Sequence, residues 1–318
     1  MGEERAPPLL VLGGPTAGGK SELALAFCHG RSADIVCADS GVVYRRLDIG
    51  TGKPTPQERA LVPHHLLDVR DPAEPFSVAE YGELAAVALR SCAAGGRRAL
   101  LVGGTGLYIR QVLEAPRLPP VPPQPSLRAE LAGRPAAALF AELAAADPAA
   151  ATRIHPADVR RVIRALEVLR VTGRPISAAW ADSRPQRRPC RFVVVDRPRE
   201  VLRRRIALRV ERMLEAGLVG EVAALLAAGV PPEAQSLQAL GYRQTVAYLR
   251  AGGGPPEELR AAIVAATVRY AKRQRTWFRA EPGAVWLDLG DGPVAAGLPA
   301  LEAAWEWTGR GDGRPGGA

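Results

Sequence analysis

Lysine is nearly missing from this chain. Lys20, Lys53 and Lys272 are the lysines among 318 residues, and arginine supplies the rest of the positive charge. Cysteine is sparse as well. Cys28, Cys37, Cys92 and Cys190 are scattered and include no C-x-x-C pair, so neither a disulfide framework nor a zinc site of the usual spacing is expected, and a reducing cytoplasm fits. His64, His65 and His155 show no metal-ligand spacing beyond adjacency, so turn or surface roles are expected for them. No apolar run approaches the roughly 20 residues needed to cross a bilayer. Met1–Arg5 carries acids where a secretory leader would have its apolar core, so neither a membrane nor a secretory role is expected. No G-x-S-x-G occurs, and hydrolase chemistry of that kind gains no support.

What is present is unevenly placed. The formal net charge is +9, yet the segment from Arg153 to Arg212 alone holds 17 basic residues against 6 acidic ones. Codon bias accounts for arginine over lysine. It does not account for the clustering, which favours a polyanionic partner larger than one nucleotide.

The most informative stretch is Gly14-Pro15-Thr16-Ala17-Gly18-Gly19-Lys20-Ser21, which fits G-x-x-x-x-G-K-[ST]. The apolar run 8–13 precedes it and reads as a buried strand; residues 21–27 follow and read as a helix opening. A strand turning sharply into a helix aims several backbone N–H groups and the positive helix end at one point. Glycine admits close approach, Lys20 brings a cation, and the Ser21 hydroxyl can hold magnesium. The loop predicts a bound polyphosphate without saying which.

Further strands are expected at 34–39, 65–69, 98–104, 191–196 and 285–289, with a capped helix over 77–94 between the third and fourth. This alternation predicts an α/β fold, a P-loop NTPase-like parallel sheet flanked by helices. A proline-rich break (Pro116, Pro119, Pro120, Pro122, Pro123, Pro125) then opens a stretch with only helical patterns, read as an all-helical insertion. The expected organisation is a core in two parts, 1–118 and 189–308, a helical insertion at 119–188, and a disordered tail at 309–318. Ligands of such sheets gather beyond the strand carboxyl ends. Asp39 and Gly103-Gly104-Thr105-Gly106 should therefore share the cleft of the phosphate loop.

Three other features admit two readings each. Asp39 either works on the ligand, through magnesium or as a proton acceptor, or simply caps a turn. Arg160, Arg161 and Arg164 lie on one side of a helix, suited to a phosphate backbone or to ion pairs with Asp158 and Glu167. The segment from Arg269 to Arg279 interleaves cations with Tyr270, Trp277 and Phe278, suited to unpaired bases or to an amphipathic helix with its aromatics inward.

Taken together, the phosphate loop, Asp39-Ser40 with Tyr44, 48–54, His65-Leu66-Leu67-Asp68, Gly103 to Tyr108, Ile154-His155-Pro156, 164–168, Gly241-Tyr242-Arg243 and Lys272-Arg273-Gln274 with Thr276-Trp277 resemble one family. In order and spacing the chain is similar to the tRNA dimethylallyltransferases from about Leu10 to Arg279. The resemblance implies transfer of a dimethylallyl group from dimethylallyl diphosphate to the exocyclic amine of the adenosine 3′ of the anticodon. It implies that the phosphate loop holds this diphosphate rather than ATP. Lys20, Arg209 and magnesium on Ser21 would then stabilise the leaving group, Asp39 would be the general base, and Thr105 would position the amine. Contacts to the tRNA anticodon stem-loop are implied at Asp39, Ser40, Gly41, Val42 and Thr105, and in the insertion at Arg128, Arg160, Arg161 and Arg164. Others are implied at Gln238, Gly241, Tyr242 and Arg243, and at Lys272, Arg273, Gln274, Arg275, Trp277 and Arg279. No obligate protein partner is implied.

The chain departs from the pattern at Val42, where many members have glutamine, and at Gln238 and Arg160. The rival reading is an ATP-using small-molecule kinase. The phosphate loop alone would suit it, but it leaves the basic insertion without a purpose.

Overall fold

The computed structural model of the chain describes residues 8–114, 121–182 and 187–306. It divides into two compact units: residues 1–113 with 188–318, and residues 114–187.

In the first unit the apolar runs form strands β1 (Leu9–Gly13), β2 (Ala33–Cys37), β3 (His64–His65), β4 (Arg98–Val102), β5 (Cys190–Asp196) and β6 (Ala284–Asp288). All neighbours pair in parallel, in the order β3-β2-β4-β1-β5-β6. Helices α1 (Lys20–Cys28), α2 (Pro56–Leu61), α3 (Val78–Ala94) and α4 (Gly106–Glu114) connect the first four strands and lead out of β4. The second unit holds α5 (Pro125–Ala132), α6 (Ala136–Ala146), α7 (Pro148–Ala151), α8 (Val159–Thr172) and α9 (Ile176–Asp182). The chain then returns to the sheet and adds α10 (Arg199–Glu215), α11 (Leu218–Ala227), α12 (Tyr242–Arg250), α13 (Pro256–Arg279) and α14 (Leu298–Trp305).

The sheet is apolar on both faces because both are covered. Along β1 the period-two alternation sends Leu9 and Val11 into a core shared with α3, α4 and α10 to α13. Leu10 and Leu12 enter a second core against α1 and α14. Each such leucine, removed from water, contributes roughly 1.5–3 kcal/mol. The α3 start is a capping box, as its sequence predicts: Ser77 Oγ accepts from the Glu80 N–H at 3.1 Å, and the Glu80 carboxylate accepts from the Ser77 N–H at 2.8 Å.

The expected third strand is the main departure. It shrinks to His64–His65, because Leu66 (φ 67°) and Asp68 (φ 59°) take left-handed backbone that an extended strand cannot continue. Asp68 is held there by Lys53 Nζ at 2.6 Å and Arg59 Nη1 at 2.7 Å. The closing strand runs one residue earlier than expected, Ala284–Asp288, and lies at the sheet edge.

The insertion has its own core, built on Leu131, Leu139, Leu143, Val162 and Leu166. Asp158 caps α8, and Gly173 ends it at φ 69°, the left-handed geometry a C-terminal glycine supplies. Among the described residues no helix is long and apolar enough to cross a membrane. The expected tail at 309–318 and Pro116, Pro119 and Pro120 of the break lie outside the described residues.

Candidate active site

The loops after β1, β2 and β4 converge on one cleft of about 520 Å³. After β1, Gly14 takes φ 141°, and a Cβ there would sit 2.2 Å from the Val195 carbonyl oxygen; glycine is the residue that fits between the strands. The loop is closed by a Gly18 N–H to Pro15 carbonyl bond at 3.2 Å. Two arginines brace it from outside. Buried Arg197 donates from Nε to the Gly18 carbonyl at 3.0 Å, and Arg205 Nε to the Ala17 carbonyl at 2.8 Å. Lys20 Nζ donates to the Pro15 carbonyl at 2.8 Å, and Ser21 lines the cleft on the first turn of α1.

After β2, Asp39 Oδ1 accepts from the Gly41 N–H at 2.9 Å, and the next N–H, of Ser40, donates to Thr105 Oγ1 at 3.1 Å. The turn after β4 is thereby tied to Asp39. A second tie runs through α13: Gln274 accepts from the Thr16 N–H at 2.8 Å and donates to the Gly104 carbonyl at 2.9 Å. Tyr270 of α13 lines the same cleft, and burial raises its pKa to about 12.

Arg209 comes in from α10. Its Nη2 donates to the Thr51 carbonyl at 2.9 Å. Burial pulls Lys20 down from 10.5 to about 8; Asp39 opposes the fall and Arg209 adds to it. Burial lowers Arg209 too, again opposed by Asp39. Two partly desolvated cations thus face the carboxylate across the phosphate loop, an arrangement suited to an oxyanion beside a proton acceptor.

The Gly-, Thr- and Lys-containing loop 41–55 is fixed from both ends. Lys53, its side chain 2% exposed, donates to Asp48 and Asp68 at 2.7 and 2.6 Å. The Glu221 carboxylate on α11 accepts from the N–H groups of Asp48 and Ile49, at 3.0 and 2.9 Å, and from the Tyr242 hydroxyl at 2.5 Å.

The cleft therefore gathers the phosphate-loop residues Thr16, Ala17, Gly19, Lys20 and Ser21, then Asp39, Ser40, Gly41, Val42, Arg209, Gln238, Arg243, Arg273 and Gln274. The expectation of RNA contact does not suit Tyr242, which is fully buried with its hydroxyl on Glu221 and Gly50. Nor does it suit Gln274, which is 6% exposed with both ends of its amide bonded internally. Gly241 is a turn residue at φ 86° leading into α12. Arg275 pairs with Asp196 at 2.7 Å, and Trp277 packs over Gly106, with Arg110 5.2 Å from its ring centre. Lys272 and Arg279 are exposed. Tyr270, Arg197 and Arg205 were not singled out by motif. A tyrosine inside an amphipathic helix carries no signal that its hydroxyl faces a cleft, and the two arginines are lost in a run of many.

In the insertion the ion pairs expected with Asp158 and Glu167 both form, through Arg161 and Arg164, while Arg160 is exposed. Glu167 is fully buried and accepts from Arg128 at 2.7 and 2.8 Å, Arg164 at 2.6 Å and the Gln124 N–H at 2.7 Å. Burial alone would raise its pKa, but these bonds outweigh it and bring it to about 2. Arg160 and Arg161 are exposed, Arg161 with Asp158 at 3.3 Å. Arg161 and Arg164 line a recess of about 300 Å³ with Arg153 and Trp180, and Arg153 lies 5.4 Å from the Trp180 ring centre. Cations beside an aromatic face in a concave surface suit a nucleobase and its phosphate.

Comparison with known proteins agrees with this geometry. The family model for IPP transferase matches residues 42–281. A tRNA dimethylallyltransferase of Salinispora arenicola is 47% identical over 94% of this chain and 88% of its own length. The crystal structure of a full-length tRNA isopentenylpyrophosphate transferase from Bacillus halodurans superposes with a TM-score of 0.69 at 36% identity, covering 93% of this chain and 94% of that one. A eukaryotic dimethylallyltransferase acting on tRNA superposes with a TM-score of 0.78 at 25% identity, over 93% of this chain and 77% of that one. With three quarters of its length matched and the phosphate-loop fold in common, the chain belongs to the IPP transferase family.

Proposed function

We propose that this chain transfers a dimethylallyl group from dimethylallyl diphosphate to the exocyclic amine of the adenosine on the 3′ side of the anticodon, releasing diphosphate. The observation that carries the reading is Asp39 set opposite Lys20 and Arg209 in one cleft whose floor is the phosphate loop.

An exocyclic adenine amine is a poor nucleophile, so three things must coincide: an aligned allylic carbon, a stabilised leaving group and a proton acceptor. The amine nitrogen forms a bond to the terminal allylic carbon as the carbon–oxygen bond to diphosphate breaks. The bonding pair leaves with the diphosphate, facing Lys20, Arg209 and the free loop N–H groups. Asp39 takes the amine proton through Oδ2, since Oδ1 already accepts from Gly41. Thr105, held by the Ser40 N–H, positions the amine. The Ser21 hydroxyl is a hard oxygen donor in the same cleft and would hold magnesium, which when bound neutralises charge on the diphosphate.

The target base must leave the anticodon-loop stack, which costs a few kcal/mol and least in a single-stranded loop. The insertion's Arg160, Arg161 and Arg153–Trp180 recess is assigned to the anticodon stem-loop. Four free cysteines suit a reducing compartment, and the cytoplasm is assigned as its location.

The test uses purified protein, magnesium, unmodified tRNA and dimethylallyl diphosphate labelled in the prenyl carbon. Label in tRNA supports the reading. ATP turnover with a small acceptor and no label in tRNA overturns it. Asp39→Ala is expected to lose at least 100-fold in transfer while binding tRNA normally; near-normal turnover would remove Asp39 from the base role.

A further inference from the structure

Away from the cleft, on the β3 side of the sheet, three unlike donors meet. Asp34 comes from β2, His65 from β3 and Cys92 from the last turn of α3, positions 31 and 27 residues apart in sequence. His65 Nε2 lies 2.9 Å from Asp34 Oδ2, Cys92 Sγ lies 3.5 Å from that same oxygen, and Cys92 Sγ lies 3.5 Å from His65 Nε2. We infer that Asp34, His65 and Cys92 form a zinc(II) site.

The distances match the edges of a coordination tetrahedron. With zinc–sulfur at about 2.3 Å, zinc–nitrogen at about 2.05 Å and zinc–oxygen at about 2.1 Å, both sulfur edges come to about 3.6 Å and the nitrogen–oxygen edge to about 3.4 Å. Two of the three edges are already in place. The third opens by roughly half an ångström, within the reach of a histidine whose side chain is 26% exposed.

The surroundings are those of a metal site. Asp34 Oδ1 is occupied separately by Arg97 Nε, and Arg97 also donates to the Ala33 carbonyl at 2.8 Å. The carboxylate is thereby oriented with Oδ2 left for the metal, the usual service of an outer partner. Asp34 and Cys92 are buried and His65 is partly exposed, so the ion enters past His65. A thiolate and a carboxylate balance the two charges of the ion, and the thiolate–imidazole pair selects zinc over magnesium or calcium. Binding releases the Cys92 thiol proton to solvent and moves the His65 proton from Nε2 to Nδ1, and the hydrogen bonds of both groups to Asp34 Oδ2 give way to the bonds to zinc. Ligand-spacing rules miss the site because its donors are brought together by the sheet, not by a local motif.

The test is cobalt(II) and zinc(II) binding to the chelator-stripped full chain, without reference to activity. One equivalent of cobalt should give the intense near-ultraviolet thiolate-to-cobalt absorption, displaced by equimolar zinc. Cys92→Ser should abolish that band and His65→Gln should weaken zinc binding at least tenfold in competition with a chromophoric chelator, while Cys190→Ser changes neither. Absence of the band from the wild-type chain overturns the assignment, whether or not the variants fold. So does a band that survives Cys92→Ser.

Discussion

Glu167→Gln tests how the insertion is held together. The side chain is fully buried and carries bonds from Arg128, Arg164 and the Gln124 N–H. Its pKa falls from 4.5 to about 2, because those bonds outweigh the burial that would raise it. A folded-state pKa depressed to about 2 means that ionised Glu167 contributes roughly 3 kcal/mol at pH 7, present above the unfolded value and lost as pH falls toward about 2. Glutamine keeps the shape and removes the charge, leaving two guanidinium groups with a poorer acceptor. The variant should therefore be less stable by about 3–4 kcal/mol at neutral pH. At pH 3.5 linkage leaves roughly two thirds of the contribution, so the gap between the two proteins should narrow by roughly 1 kcal/mol. Denaturant-dependent hydrogen exchange of α8 peptides reads the insertion separately from the sheet unit. A gap below 1 kcal/mol at pH 7, or one that does not narrow with acid, would refute the reasoning.

Further outcomes follow from the cleft. Lys20 loses its charge as pH rises through about 8, so kcat/KM for the diphosphate donor should fall above pH 8, and a profile flat through that range would refute the assignment. Because its folded pKa is depressed, charged Lys20 also opposes folding below that range, so Lys20→Met should raise the unfolding midpoint at pH 7 while abolishing transfer. Gly52→Ala places a methyl 2.5 Å from Arg209 Nη2 at a residue with φ 62°; it should raise the KM for the donor several-fold and cost about 1–2 kcal/mol in denaturant titration. Gln274→Leu strands the Thr16 N–H and the Gly104 carbonyl, and should cost about 2–4 kcal/mol with a drop in kcat larger than any change in tRNA affinity.

The phosphate loop was legible because its chemistry is local: Gly14, Lys20 and Ser21 fall at fixed offsets between a strand and a helix. The capped start of α3 was legible for the same reason. The alternation of apolar runs carried the parallel sheet. Its third strand was overestimated because the backbone turns left-handed at Leu66 and Asp68, and Asp68 is held by Lys53 and Arg59, partners that a residue-by-residue pattern does not contain. The same limit separates the arginines. Composition marks Arg128 and Arg164 as equals of Arg160 and Arg161, and only the buried Glu167 distinguishes the first pair. Gln274 and Tyr242 were placed in the right neighbourhood by motif. Their side chains act inside the protein, on the walls of the cleft and its adjoining loop.

Glu221 lies on α11, a helix remote in sequence from the segment 48–50 whose backbone it grips. A stretch of glycine and threonine would otherwise sample many conformations in solution, and each would have to be given up when the donor arrives. Here that freedom has already been surrendered during folding. Docking of the diphosphate meets a rigid wall, with Arg209 registered against it, and affinity for so small a ligand is not diluted by the ordering of its host.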